Sequence, residues 1–131
     1  MNSVGGTHII ADLYEINYEK LYSINEKTYI HFDSFIKKIL LESNINLLSQ
    51  IVHHFDGYPG SFTSLYLLAE SHLSIHTWPE YKYIALDVFT CGKCNTQLVV
   101  DKIIEYFNPK KIVVKNLSRA NYFDKNNELN I

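Results

Sequence analysis

The sequence predicts an α+β domain, a two-layer sandwich of one mainly antiparallel sheet with two helices on a single face. Three observations predict this fold. Strand-like runs outnumber helical ones, several consecutive runs are joined by connections short enough for hairpins, and only two segments show the apolar spacing of an amphipathic helix. A chain of 131 residues is long enough for one domain, 1–131, with its own core.

The N-terminal third is predicted to contain a strand, an irregular connection and a helix. Residues Gly6 to Glu15 carry apolar side chains on both faces and are typical of a buried strand, whereas residues 17–29 show no firm period. The helix is predicted to begin at Asp33 or Ser34, because either side chain can accept hydrogen bonds from the N–H groups of a first turn. Residues 44–46 end it. Its apolar stripe consists of Phe35, Ile36, Ile39 and Leu40.

The middle of the chain is predicted to be a series of strands. Leu47 to Phe55 forms one, and the turn-forming loop 56–60 follows it. The runs Phe62 to Glu70 and His72 to Trp78 meet without Gly or Pro between them, so we expect a bend or bulge at their junction. Tyr83 to Phe89 follows closely and is expected to pair with the preceding run as a hairpin.

A second helix and a last strand complete the predicted sheet. Asn95 is expected to cap the helix, Lys111 to Leu117 forms the strand, and the polar residues 119–131 are expected to be a loose tail. With both helices on one face, the other face is solvated or meets a partner. Because 14% of the residues are aromatic, we expect a homodimer formed through the sheet. The core side of this helix is predicted to be Leu98, Val99, Ile103, Tyr106 and Phe107.

Composition narrows the possible functions. A formal net charge of -2 argues against a nucleic-acid partner, since phosphate binding needs a concentrated basic face. No apolar run approaches membrane-spanning length and no targeting signal is recognisable, which favours the cytoplasm. The two cysteines, Cys91 and Cys94, are too few for a disulfide scaffold and fit a reducing compartment.

The most informative stretch is residues 69–80, AESHLSIHTWPE, which combines hydroxyls, imidazoles, carboxyls and an indole in what otherwise reads as a strand. A strand that only packs carries less titratable chemistry. Residues 83–92, YIALDVFTCG, continue it and reach a thiol just before the final glycine. Together these two segments resemble the prokaryotic, half-length S-adenosylmethionine decarboxylases, which are pyruvoyl-dependent and self-cleaving. The resemblance extends from about Gly6 to Lys115.

The resemblance implies that the chain cleaves itself between Glu70 and Ser71. Ser71 attacks the carbonyl of Glu70, elimination releases Glu70 as a new C-terminus, and Ser71 becomes a pyruvoyl group, the cofactor. The mature enzyme then holds chains 1–70 and 71–131 together without a covalent bond. The ketone condenses with a substrate amine and accepts the electrons left by carbon dioxide, the task of pyridoxal phosphate elsewhere. Taken alone, Ser71 would be interpreted as a structural hydroxyl.

His76 and Thr63 assist cleavage, by the same resemblance. His76 abstracts the α-proton in the elimination, a task that suits an imidazole because it titrates near working pH. Thr63 polarises the scissile carbonyl, with Ser64 as a rival for that role. On residues alone, each is equally compatible with a structural role. A regular strand would place Ser71 and His76 on opposite faces, so the implied mechanism predicts a kink near Ser71.

Cys91 is implied to be the acid that returns a proton to the substrate, and thiols in general are mostly protonated at neutral pH. Two other interpretations stay open. Cys91 can be a small buried hydrophobe, or it can form with Cys94 a thioredoxin-like redox site, since Cys91-Gly92-Lys93-Cys94 is a CxxC motif. Zinc binding is less favoured because a single CxxC lacks a second ligand pair, and we predict no metal.

Substrate contacts are implied at Phe55, Trp78 and Glu80. Aromatic rings at Phe55 and Trp78 would hold the adenine and the sulfonium cation, and the carboxylate of Glu80 would accept both ribose hydroxyls. Without the resemblance, Phe55 would be assigned to the core, and Trp78 and Glu80 to the surface.

The implied function is decarboxylation of S-adenosylmethionine to the aminopropyl donor for spermidine. The first alternative is a related pyruvoyl enzyme that acts on arginine or ornithine. A second alternative, from another class, is an unprocessed relative that binds and regulates an active subunit, and a CxxC redox module ranks last. Retention of Ser71, His76 and Cys91 favours the enzyme.

Overall fold

A computed structural model describes residues 4–131 and shows one six-stranded sheet with helices on one face. The strands are β1 (Thr7–Tyr14), β2 (Leu47–His54), β3 (Phe62–Leu68), β4 (Ser71–Trp78), β5 (Tyr83–Thr90) and β6 (Lys111–Ser118). The helices are α1 (Tyr18–Tyr22), α2 (Tyr29–Glu42) and α3 (Thr96–Phe107), and a 3-10 turn spans Pro79–Tyr81. Strands lie in the order β2-β3-β4-β5-β1-β6 with antiparallel neighbours, which confirms the predicted fold class.

The core lies between the sheet and helices α2 and α3. Strict alternation along the central strands turns every second side chain inward, so that Ile75 of β4 lies beside Leu86 of β5, which lies beside Ala11 of β1. Phe32 of α2 packs against Phe62 of β3, with ring centroids 5.7 Å apart. From α3 the buried side chains are Thr96, Val99, Val100, Ile103 and Phe107.

The opposite face of the sheet, here called the open face, has no helix over it. It carries polar and aromatic groups in the middle and exposed aliphatic side chains on β2 and β3, namely Ile51, Leu65 and Leu67. A cavity of about 250 Å³ on this face is lined by side chains of both charges, including Asp12, Asp87 and Lys115. Among the predicted site residues, Thr63, His76 and Trp78 lie on this face.

Two predictions about the first helix were wrong. Residues 17–29 were expected to be irregular, but they contain α1, whose N-cap Asn17 accepts a hydrogen bond from the Glu19 amide. Helix α2 begins at Tyr29 rather than at Asp33 or Ser34, because Asn25 organises the preceding turn by accepting from the backbone of Thr28 and Tyr29. Asp33 is an interior residue of the helix, buried and paired with Lys37 at 2.7 Å.

The predicted cap of the second amphipathic helix is confirmed, whereas the C-terminal tail is more ordered than expected. Asn95 caps α3 by accepting from the Leu98 amide at 3.1 Å, as predicted, and Asn108 ends it in a left-handed conformation. The tail 119–131, expected to be loose, forms a turn in which Asp124 accepts hydrogen bonds from the backbone of Asn126 and Glu128. Within residues 4–131, no helix combines the length and the hydropathy that crossing a bilayer requires.

Candidate active site

The Glu70–Ser71 junction lies in a tight hairpin turn. Leu68 pairs with Ser71, so Ala69 and Glu70 form a two-residue loop, and the predicted bend or bulge between the two strands was wrong. Two-residue hairpins favour positive φ within the loop. Here neither loop residue has a positive φ, and Ser71 takes φ 151° instead, a conformation that side-chain-bearing residues rarely adopt. The backbone strain of the turn is therefore carried by Ser71.

Glu70 is anchored on the other side of this junction. One carboxylate oxygen accepts from the Asn46 amide and the other from its side-chain Nδ2, both at 3.0 Å. The backbone of Ala69 donates to the Asn46 carbonyl at 2.9 Å. The segment before β2 thus holds the acyl side of the junction at three points, so a break after Glu70 would leave that end in place.

Cys91 lies alongside the junction. His72 of β4 pairs with Phe89 of β5, and the two strands are antiparallel, so Ser71 lies opposite Thr90. Neighbouring strands of a sheet are about 4.8 Å apart. Cys91 follows directly and is only 6% exposed. These residues, Glu70, Ser71, Cys91 and the adjacent Cys94, are called the cleavage end of the sheet.

Thr63 and His76 form a hydrogen-bonded pair at the other end of the same hairpin. They are opposite each other in the β3–β4 register, and Thr63 Oγ1 lies 3.1 Å from His76 Nδ1 on the open face. Ser64, the rival of Thr63, points to the helical face, where it is fully buried and bonded to the Tyr29 hydroxyl at 2.5 Å. Only Thr63 shares a face with His76.

An aromatic column continues from His76 along the same edge of the open face. The ring of Trp78 stacks on Tyr83 at 5.3 Å, and Tyr83 stacks on Tyr14 at 5.2 Å. The hydroxyl of Tyr83 donates to the carboxylate of Asp12, and burial together with that carboxylate raises the pKa of Tyr83 to about 12. Sequence reasoning did not identify Tyr83 or Tyr14, because their proximity to Trp78 depends on strand register.

Glu80 and Phe55 complete this group. Glu80 is exposed in the 3-10 turn directly after Trp78. Phe55 follows β2, is 50% exposed, and lies with its ring 4.6 Å from that of His53. The five residues Phe55, Thr63, His76, Trp78 and Glu80 are called the histidine end.

The two ends are separate within one chain. Pairing of β4 with both neighbours is unbroken from His72 to His76, so the strand contains no kink after Ser71. Five residues of extended strand span roughly 16 Å, and the alternation of side chains puts Ser71 and His76 on opposite faces. A single chain therefore does not bring its predicted nucleophile and predicted base together.

A further polar network lies next to the cleavage end. His8 Nε2 lies 2.5 Å from Asp87 Oδ1, Arg119 lies 3.1 Å from His8 Nδ1, and His72 Nε2 lies 3.6 Å from the same Asp87 oxygen. His8, His72 and Asp87 are close enough to suggest a metal site. Arginine can only donate, however, so Nδ1 of His8 accepts and its Nε2 carries the proton that binds Asp87. The trio as arranged is a hydrogen-bond network.

The fold and the two ends are compatible with a small α+β enzyme, and comparisons with known proteins specify the family. The model of the S-adenosylmethionine decarboxylase family matches residues 7–120. The chain is 38% identical over 121 residues to the S-adenosylmethionine decarboxylase proenzyme of Sulfurihydrogenibium sp. (strain YO3AOP1), covering 92% of this chain and 86% of that protein. The proenzyme of Aquifex aeolicus (strain VF5) is 35% identical over 108 residues, covering 82% and 75%.

A solved structure agrees with these matches. The crystal structure of the adenosylmethionine decarboxylase from Aquifex aeolicus VF5 is similar with a TM-score of 0.74 and 32% identity, covering 89% of this chain and 92% of that one. The chain belongs to the S-adenosylmethionine decarboxylase family.

Proposed function

We propose that this chain is a proenzyme that cleaves itself between Glu70 and Ser71, and that the product decarboxylates S-adenosylmethionine to the aminopropyl donor for spermidine. The observation that supports it most is the φ of 151° at Ser71, in a two-residue turn beside Cys91. Residues are held in such conformations where surrounding structure over-determines them, commonly at reactive sites.

Cleavage uses groups that the chain itself supplies. Ser71 Oγ bonds to the Glu70 carbonyl carbon while the C–N bond breaks, which turns the peptide into an ester. A base then removes the α-proton of Ser71, and the Cβ–O bond breaks with the electrons leaving on the new main-chain α-carboxylate of Glu70. Residue 71 is left as dehydroalanine, which tautomerises to an imine. Water replaces the remaining amino group, which leaves as ammonia, and the second fragment begins with a ketone. The strain at Ser71 is relieved when the amide bond breaks, which favours the first step.

His76 and Thr63 suit the acid–base part of this reaction. In the 3.1 Å contact, Nδ1–H of His76 donates to Thr63 Oγ1, so Nε2 of His76 carries no proton and can act as a base. The hydroxyl proton of Thr63 is then available to donate to the scissile carbonyl oxygen. Proton removal by the histidine and donation by the threonine are then performed by one pair.

Because the two ends lie roughly 16 Å apart, the pair acts on Ser71 of a second copy. Ser71 is partly exposed and begins β4 directly after the hairpin turn, so it can be approached around the end of the sheet. In a two-fold dimer with open faces packed together, the histidine end of one chain lies at this turn of its partner, and the same contact recurs by symmetry. The exposed aliphatic side chains of the open face, Ile51, Leu65 and Leu67, would be covered by the same packing. Dimerisation through the sheet therefore completes two equivalent sites.

The surroundings of Ser71 fit a pyruvoyl group. The group needs no phosphate cradle, and Ser71 is partly exposed at the start of β4, which leaves access for a substrate amine. When present, a pyruvoyl group supplies a ketone that condenses with an amine and withdraws the electrons left by carbon dioxide. Cys91 holds the proton for the substrate at Sγ beside this position.

The histidine end supplies the substrate contacts. Trp78 and Phe55 are half-exposed aromatic rings, a type of group suited to adenine and to a sulfonium cation, and Glu80 has an exposed carboxylate suited to a diol. Cys91 and Cys94 are both free thiols, which fits a reducing compartment such as the cytoplasm.

Substrate choice is tested by carbon dioxide release from carboxyl-labelled S-adenosylmethionine, arginine and ornithine offered side by side. Turnover of S-adenosylmethionine alone supports the proposal, and turnover of arginine or ornithine in its place would replace it. Cys91→Ala should cleave normally but lose turnover, whereas Ser71→Ala should lose both. A full-length band that persists in the unaltered protein would favour the non-enzymatic relative.

The dimeric site is tested by coexpression of two inactive variants carrying different tags. Ser71→Ala and His76→Ala each fail to cleave alone. In the mixed dimer, the intact Ser71 belongs to the His76→Ala chain and meets the intact His76 of the other chain. Cleavage of the His76→Ala chain in the mixture supports a site shared between copies, and its absence from a purified mixed dimer would show that both residues must belong to one chain.

A further inference from the structure

The two thiols at the cleavage end are in direct contact. Cys91 Sγ and Cys94 Sγ lie 3.4 Å apart, and both cysteines are reduced. The Cys94 amide donates to the Cys91 carbonyl at 3.1 Å, which closes a β-turn over Gly92 and Lys93. The α-carbons across a β-turn lie within about 7 Å of each other, close to the range that a disulfide spans.

We propose that Cys91 and Cys94 are a modification site: they form a reversible disulfide that switches the decarboxylase off under oxidising conditions. The sulfur atoms need to approach to about 2 Å, a movement that side-chain rotation can supply because the turn already sets the backbone spacing. The loss of activity rests on the proposed role of Cys91, whereas formation of the disulfide does not.

The oxidant is a low-molecular-weight disulfide. The thiolate of one cysteine attacks a sulfur of the oxidant and releases one small thiolate. The second cysteine, deprotonated, attacks the mixed disulfide and releases the other. The dithiol loses two electrons and two protons, and the oxidant becomes two small thiols. Cys94 is partly exposed and Cys91 is buried, so Cys94 is the thiol that an oxidant reaches first.

Disulfide formation at this pair is slow at neutral pH. Burial, the adjacent Cys91 and the Glu70 carboxylate raise the pKa of Cys94 to about 12, so its reactive thiolate is scarce at neutral pH. The switch therefore responds to sustained oxidation. When it closes, Cys91 has no S–H left, and the proposed proton return to the substrate stops.

The test uses the mature enzyme treated with oxidised glutathione and then with dithiothreitol. We expect the fragment 71–131 to lose two hydrogens in intact mass, peptide mapping to join Cys91 to Cys94, and turnover to fall at least tenfold and recover on reduction. Cys94→Ser, compared with its own reduced sample, should keep its turnover after the same treatment.

Three results would overturn the proposal. The first is that both thiols stay free under conditions that oxidise a short CxxC peptide. The second is a glutathione adduct on the protein in place of the internal disulfide. The third is that Cys94→Ser loses as much turnover as the unaltered protein after the same treatment. A reduced enzyme that never turns over S-adenosylmethionine would instead contradict the proposed function, while the mass measurement would still report whether the disulfide forms. Full turnover with the disulfide in place would contradict the switch and the role of Cys91 together.

Discussion

Replacing Tyr83 tests whether the aromatic column positions Trp78 for the substrate. Tyr83 stacks between Trp78 and Tyr14 at 5.3 and 5.2 Å, with interplanar angles of 28° and 24°, and its hydroxyl donates to Asp12. Tyr83→Phe removes the hydrogen bond and keeps both stacks. Tyr83→Ala removes all three contacts. The two variants therefore separate the hydroxyl from the ring.

The magnitudes follow from the contacts. Each aromatic pair contributes about 0.5–1.5 kcal/mol beyond its buried area, so the loss of the two stacks alone should destabilise Tyr83→Ala by about 1–3 kcal/mol more than Tyr83→Phe. A cation over an exposed ring gains about 0.5–1 kcal/mol, and Trp78 is 40% exposed. If Trp78 loses that alignment, KM should rise about two- to fivefold in Tyr83→Ala, since 1.4 kcal/mol corresponds to about tenfold.

The assay measures kcat and KM by carbon dioxide release. Trp78 is the single tryptophan, so its fluorescence reports substrate binding at the same site. Tyr122→Ala, which removes an exposed tyrosine of the tail, is the matched control and should leave KM unchanged. An unchanged KM in Tyr83→Ala, or an equal rise in Tyr83→Phe and Tyr83→Ala, would refute the argument that the stacked ring holds Trp78.

Three further predictions concern cleavage, packing and alkaline stability. Thr63→Val should slow cleavage about 10²- to 10³-fold, the cost of one oxyanion donor, while Thr63→Ser should cleave nearly normally in a time course on denaturing gels. Gly6→Ala should lower the melting temperature and turnover, because its Cβ would lie 1.9 Å from the Thr90 carbonyl oxygen and 2.9 Å from the Cys91 α-carbon; unchanged melting would contradict this packing. The pKa of Tyr83 is raised from 10.0 to about 12, so its contribution to the free energy of unfolding is present below pH 10 and is lost as pH rises toward 12. Urea unfolding at several pH values should show this loss, and Tyr83→Phe should reduce the dependence of the unfolding free energy on pH in that range.

Strands β4 and β5 could be predicted because each has one buried and one open face, which produces alternating side chains that are visible in the sequence. Helix α1 could not be predicted from an apolar period, because it spans only five residues and buries only Leu21. The start of α2 depends on Asn25, which organises a turn before the apolar stripe begins. Short helices and helix starts of this kind depend on local hydrogen bonds that a hydrophobic pattern does not contain.

Candidate site residues could be named from the sequence, and they stay predictions; how they are arranged could not be predicted from it. The sequence predicted a bend or bulge at the junction of the two strands. The structure has a two-residue turn there instead, and the register of that hairpin sets Thr63 opposite His76. The unbroken strand β4 separates His76 from Ser71, and the sequence indicated this only through the opposite faces expected for the two residues. Contacts among segments distant in the chain, such as His8 with Asp87, follow from strand order and could not be derived from spacing.

The account depends most on the bond between Glu70 and Ser71, and intact mass spectrometry of fully active protein tests it directly. We predict two fragments, 1–70 and 71–131, whose masses together equal the whole chain plus one water and minus one ammonia, with borohydride adding hydrogen to the second fragment alone. Active protein whose chain is intact, or whose second fragment begins with an unmodified serine that borohydride does not alter, would contradict the account.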